Sequence, residues 1–137
     1  TMSKLKSLDL NSFNTSNVQN MYFMFYGNES LTSLNIKNFD TSKVVDMNSM
    51  FGELKKMTSL DVSEFNTSKV KSMEGMFSRC YALKAVDVSH FNTSEVVKMG
   101  YMFNSCSSLE SLNLSKFNTS SVNDARYMLY YMDNLKH

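Results

Sequence analysis

The stretch Phe13-Asn14-Thr15-Ser16-Asn17-Val18-Gln19-Asn20-Met21-Tyr22-Phe23-Met24-Phe25 decides the architecture, because its skeleton returns at an interval of 26 residues. The opening tetrapeptide recurs at Phe39, Phe65, Phe91 and Phe117, with Asp40 replacing asparagine in one copy and no insertion or deletion between copies. A period of this size marks one small supersecondary unit stacked on itself, since a single unit cannot bury its own apolar face. Repetition also bears on function. An array offers an extended surface, whereas catalysis needs unlike residues to converge on one point.

Working outward, the repeats run 5–30, 31–56, 57–82, 83–108 and 109–134 within a single domain spanning 1–137. The repeat is under way at Leu5 and restarts at Leu135, so the chain reads as part of a longer array. The first half of each unit is Leu-x-x-Leu-x-Leu, as in Leu5, Leu8, Leu10 and Leu31, Leu34, Ile36. Its last two apolar positions alternate with polar ones, which predicts a short strand with one buried face. The second half changes period. Val18, Met21, Met24 and Phe25 lie at helical offsets, with Thr15 or Ser16 placed to cap the start, and this predicts a short helix. Gly75 and Gly100 interrupt that pattern, so a single turn or 3₁₀ stretch is the alternative there.

The run Leu-x-x-Leu-Asp-Leu-Ser-x-Phe-Asn-Thr-Ser-x-Val-x-x-Met-x-x-Met-Phe-x-x-Cys resembles the BspA-like bacterial surface proteins, a leucine-rich-repeat group whose repeats have 26 residues. The resemblance implies an α/β fold: a leucine-rich-repeat-type right-handed solenoid of five 26-residue coils, with a parallel β-sheet on the concave face and short helices on the convex face. It also implies an extracellular location at the cell surface. One departure matters. Phe13 and its copies occupy the position where many such repeats place asparagine, so Asn14, Thr15 and Ser16 or water must satisfy the turn's backbone groups. Two phenyl ladders are expected in the core. One is Phe13, Phe39, Phe65, Phe91 and Phe117; the other is Phe25, Phe51, Phe77 and Phe103.

Composition narrows the functional classes. Lys and Arg number 14 against 13 Asp and Glu, with the signs interspersed, so no field attracts nucleic acid. No apolar run is long enough for direct membrane insertion. Nine of the 12 methionines sit in core columns beside Val and Phe, where packing outweighs soft-metal binding. Cys80 and Cys106 are 26 residues apart, either stacked buried thiols or a bond between adjacent coils. The histidines are His90, in an evidently exposed column, and His137. No nucleophile with an oriented base, no metal motif and no cofactor motif is present, so the expectation is a non-enzymatic protein without cofactors.

Two groups of residues point to binding. Asp9, Asn35, Asp61, Asp87 and Asn113 form a polar column on the predicted strand, and Asp61 and Asp87 would be adjacent carboxylates. That column is either a calcium site or an Asp/Asn/Ser hydrogen-bonding ladder, and the scarcity of further acidic ligands favours the ladder. Exposed aromatics are unevenly spread: Tyr22, Phe23 and Tyr26 give way to Asn48, Ser49, Gly52, Glu74, Gly75 and Ser78, then return at Tyr101, Tyr127, Tyr130 and Tyr131. In the last copy Ala125 and Leu129 replace core Met and Phe, as in a terminal repeat or a docking surface. The reading is a cell-surface binding or adhesion module contacting a protein or host-surface macromolecule, with edge-to-edge self-association open to its uncovered ends. The alternative is a spacer that presents another domain and has no ligand of its own.

Overall fold

A computed structural model describes residues 4–136. Two strands form in it: β1, Ser7–Asp9, and β2, Ser33–Asn35, paired in parallel with Leu8 opposite Leu34. Isolated parallel bridges extend the same register: Asn20 to Asp46, Asp46 to Ser72, Ser72 to Lys98, Lys98 to Asp124, and Ser59 to Ala85. Each partner lies one repeat away. Equal repeat lengths therefore become a stack of in-register rungs, each covering the apolar side of the next.

The expected fold class is overturned in its elements. No helix forms among the described residues, and the sheet comprises only β1 and β2. The half of the repeat read as helix is instead a run of turns. Phe23, Ser49, Tyr101 and Tyr127 have φ of 56°, 51°, 58° and 53°, and Gly75 has 61°. Four residues on, Gly27, Glu53, Arg79, Ser105 and Tyr131 again have φ between 53° and 70°. A helix requires φ near −63° throughout, so this alternation excludes it. The backbone donors show what replaces it. Met21, Phe23, Phe25 and Gly27 donate to the carbonyls of Asp46, Asn48, Met50 and Gly52 at 2.9–3.0 Å. Met24 and Tyr26, lying between them, donate back to the Met21 and Phe23 carbonyls at 3.3 and 3.2 Å. Every second N–H thus ties one rung to the next.

The strands are short for a local reason. Asp9 Oδ1 accepts the Asn11 N–H at 2.9 Å, and Asn35 Oδ1 accepts the Lys37 N–H at 3.4 Å. The second of these Asx turns takes the Lys37 donor that would continue the ladder to the Leu10 carbonyl, which accepts the Phe13 N–H at 2.9 Å instead.

The core is a set of columns. Phe51, Phe77 and Phe103 are wholly buried and continue a stack that begins at Phe25, with successive centroid separations of 5.7, 5.6 and 5.3 Å. The other phenylalanine column makes no such stack. Phe39 and Phe65 tilt against Phe25 and Phe51 at 6.4 and 6.1 Å, and Phe91 is buried. Phe117 is half-buried and Phe13 is 56% exposed, because each lies at an end of the stack.

Threonine supplies the inter-rung ladder. The hydroxyls of Thr15, Thr41, Thr67 and Thr93 are buried and donate to the carbonyls of Asp40, Asn66, Asn92 and Asn118 at 2.9–3.0 Å. Asn14, Asp40, Asn66, Asn92 and Asn118 each accept the serine N–H two residues on. The tetrapeptide after each phenylalanine is therefore a turn closed by Asx and riveted by Thr. Cys80 and Cys106 are free, buried thiols that donate to the Phe51 and Phe77 carbonyls, both at 3.1 Å.

Candidate binding face

The polar strand column is spent on its own turns. Asp61 Oδ1 accepts both the N–H and the hydroxyl of Ser63 at 3.0 and 2.7 Å, and Asn113 does the same with Ser115. Asp87 accepts the Ser89 N–H at 2.9 Å, and Asn35 Nδ2 bridges to Asp9 Oδ2 at 3.2 Å. The serine hydroxyl first, and its N–H second, hold the Asp61 and Asp87 carboxyls below their ordinary value. Among the described residues no group of three or more His, Cys, Asp or Glu is placed to hold a metal ion.

The aromatic residues converge elsewhere, on the turn side. A groove of about 430 Å³ is bounded by Phe23 and Tyr26 at one end and Tyr101 at the other, with Ser49, Gly75 and Ser78 between them. A second recess of about 540 Å³ continues from Tyr101 past Tyr81 to Tyr127, Tyr130 and Tyr131. Arg79, Tyr101 and Asn104 line both, so the two are one trough crossing successive rungs. The column holding Phe23, Tyr101 and Tyr127 carries only Ser49 and Gly75 in the second and third rungs. Large residues at the ends and small ones in the middle make the depression.

A polar chain fixes one wall. The Tyr26 hydroxyl donates to Glu53 Oε1 at 2.9 Å, and Arg79 Nη1 donates to the same oxygen at 2.8 Å. Lys55 Nζ lies 3.9 Å from Glu53 Oε2. The Arg79 hydrogen bond is the main reason the Glu53 carboxyl titrates below the usual range. Burial, then Glu53, pushes the Tyr26 hydroxyl up. The Tyr26 ring lies against Gly52, where an added Cβ would come within 2.9 Å of Tyr26 Cδ2. At the other end Tyr101 and Tyr127 stack at 5.3 Å and Tyr130 meets Tyr131 at 4.1 Å, while the Arg126 guanidinium sits 5.9 Å from the Tyr101 centroid.

Of the residues singled out from sequence, Tyr101, Tyr127, Tyr130 and Tyr131 come together in this trough; Asp9, Asn35, Asp61, Asp87 and Asn113 do not line it. Glu53, Arg79 and Tyr81 went unmarked in the sequence. The first two carried a signal, since opposite charges one repeat apart fall side by side on adjacent rungs. Glu29 with Lys55 and Glu110 with Lys136 obey the same rule, at 2.8 and 3.2 Å.

Groups suited to covalent chemistry are poorly placed. Desolvation pushes the Cys106 thiol up to about 12 and raises Cys80 further, and both are buried. His90 is exposed, with Nε2 3.1 Å from the Val62 carbonyl, and His137 lies outside the described residues.

In-register rungs, a threonine ladder and one aromatic trough define a tandem-repeat protein with a single differentiated face. The family model described as "Mycoplasma protein of unknown function, DUF285" matches residues 1–86 and again 59–137, and the chain belongs to that family. The two matches overlap over 59–86, as one model laid twice along a repetitive array would. No curated protein and no solved structure matches the chain.

Proposed function

We propose that the chain is a non-enzymatic binding module that holds a partner macromolecule along the aromatic trough of its turn face. The observation carrying this reading is that the trough is built from unlike residues in columns that otherwise repeat: Phe23, Ser49, Gly75, Tyr101 and Tyr127 share one column. Packing does not require that variation in the second to fourth rungs, where Ser49, Gly75 and Tyr101 lie over the same fully buried Met and Phe columns. Exposed tyrosines add large contact area at low conformational cost, and aromatic side chains are enriched at interface cores.

The resemblance to BspA-like surface proteins supports a place at the cell surface and an adhesive role toward a protein or host-surface macromolecule. Size limits the affinity. Five rungs at about 4.8 Å put the outer two roughly 19 Å apart, so the turn face is a short strip for the ~800 Å² per partner of stable recognition. Strong attachment then comes from multivalent display.

The test is a bead-display comparison of the protein with a variant carrying Tyr101→Ser, Tyr127→Ser, Tyr130→Ser and Tyr131→Ser, after thermal melting confirms that the stack survives. Beads carrying the parent protein should adhere to host cells or matrix proteins and the variant beads should not. Equal adhesion by both would eliminate the trough as the binding face, and no adhesion by the parent beads would leave the spacer role.

A further inference from the structure

We infer that the trough takes an extended peptide segment carrying a basic side chain, which seats on Glu74 between the aromatic ends. The inference rests on the binding role proposed above and names its ligand class.

Charge selects the ligand. Three ionised side chains line the two recesses: Glu53, Arg79 and Glu74. Glu53 and Arg79 neutralise each other at 2.8 Å, and the Tyr26 hydroxyl takes up the same Glu53 oxygen. Glu74 is half-buried in the trough, and among the described residues no hydrogen bond or ion pair reaches its carboxylate. The net charge offered to a ligand is therefore one negative charge, in the section floored by Ser49, Gly75 and Ser78. A carboxylate partly withdrawn from water gains more from a charge-assisted hydrogen bond than one at the open surface.

The rings favour the same sign. Phe23, Tyr26 and Tyr101 flank that section, and aromatic faces attract ammonium and guanidinium groups. The protein already uses this attraction internally, with the Arg126 guanidinium over Tyr101. Shape favours a linear occupant. The trough is an open channel crossing five rungs, and four spacings of about 4.8 Å give a length of roughly 19 Å, which matches about six residues of extended peptide at ~3.3 Å each.

The experiment titrates the isotope-labelled protein with three probes. One is an acetylated, amidated hexapeptide containing two arginines among alanines. The second is the same peptide with glutamates for arginines. The third is a linear N-acetylglucosamine hexamer. The arginine peptide should shift the amides of Glu74, Gly75, Ser78 and Tyr101, and Glu74→Gln should weaken it about tenfold, the low end for a lost charged hydrogen bond. Glutamate peptide binding equally well, an unchanged affinity in Glu74→Gln, or amide shifts with the saccharide alone would overturn the inference. The two readings fail separately. If the four-tyrosine variant loses adhesion while the arginine peptide does not bind, the trough stands and the ligand class falls. If that variant adheres like the parent, both fall.

Discussion

The Thr41 hydroxyl donates to the Asn66 carbonyl at 3.0 Å and accepts the Asn66 N–H at 2.8 Å, so one buried oxygen satisfies both backbone groups of a residue in the next rung. Thr93 makes the same pair of bonds to Asn118, whereas Thr15 makes only the donor bond, to Asp40. Replacing Thr41 by valine keeps the shape but orphans two backbone groups, each costing about 1–3 kcal/mol when buried. Thr41→Val should destabilise the protein by about 2–4 kcal/mol in urea unfolding, and Thr15→Val by about half as much. Thr119, exposed on the last rung, should tolerate valine within about 0.5 kcal/mol. Equal losses at all three sites would refute the ladder.

The left-handed column gives a second prediction. Ser49 holds φ 51° and Gly75 holds φ 61° on adjacent rungs. An L-residue with a Cβ pays roughly 1–2 kcal/mol there, which glycine avoids apart from its greater unfolded-state entropy. Ser49→Gly should therefore raise the melting temperature slightly, opposite to the usual effect of glycine in a regular element. Gly75→Ala should cost about 1–2 kcal/mol, and part of that is steric, because a Cβ at Gly75 would lie 3.0 Å from Ser49 Oγ. Combining both changes should recover the steric part. Additive effects would place the whole cost in the backbone.

This column is also where the sequence misled. Val18, Met21, Met24 and Phe25 have offsets that a helix satisfies, but turns placing Met21 and Phe25 inward satisfy them too. Hydrophobic spacing reports which side chains are buried and is blind to the sign of φ between them. Of the two glycines that interrupt the pattern, Gly75 stands in a column that proves left-handed, as does Gly27 in the other, whereas Gly100 does not. Phe23 and Tyr101 hide the same conformation behind bulky side chains. Register was legible, because every inter-rung bridge follows the invariant spacing. The trough was half legible: the tyrosines stood out by their irregular return, while Glu53 and Arg79 acquire meaning only when the rungs are laid side by side.

Acid should probe that Glu53–Arg79 link. The Glu53 carboxyl is depressed in the folded protein, chiefly by the Arg79 hydrogen bond, so its stabilisation is present above the unfolded value near 4.5 and fades as pH falls through the lower folded value. Unfolding free energies at pH 7 and pH 3 should differ less in Glu53→Gln than in the parent. With Arg79 side chain about half exposed, the difference should be under about 1 kcal/mol. Asp61 and Asp87, also depressed, should retain acid sensitivity of the same sign in the variant. An unchanged slope in Glu53→Gln would remove the link from the trough wall.

Thiol chemistry reports on the integrity of the stack itself. Cys80 and Cys106 are buried, and desolvation raises both, Cys106 to about 12, so almost no thiolate exists near neutral pH. Labelling with an aromatic disulfide reagent at pH 8 should therefore proceed only through opening of the rungs. The rate should climb with sub-denaturing urea in step with the unfolding equilibrium. Cys106 lies between Phe103 and Leu109 in the fourth rung, one rung from the less buried end, so local opening of the last rung should expose it before Cys80. Mass spectrometry of the partly labelled protein should find Cys106 modified first. Prompt labelling of both thiols in the absence of urea would contradict the packed columns on which the whole stack depends.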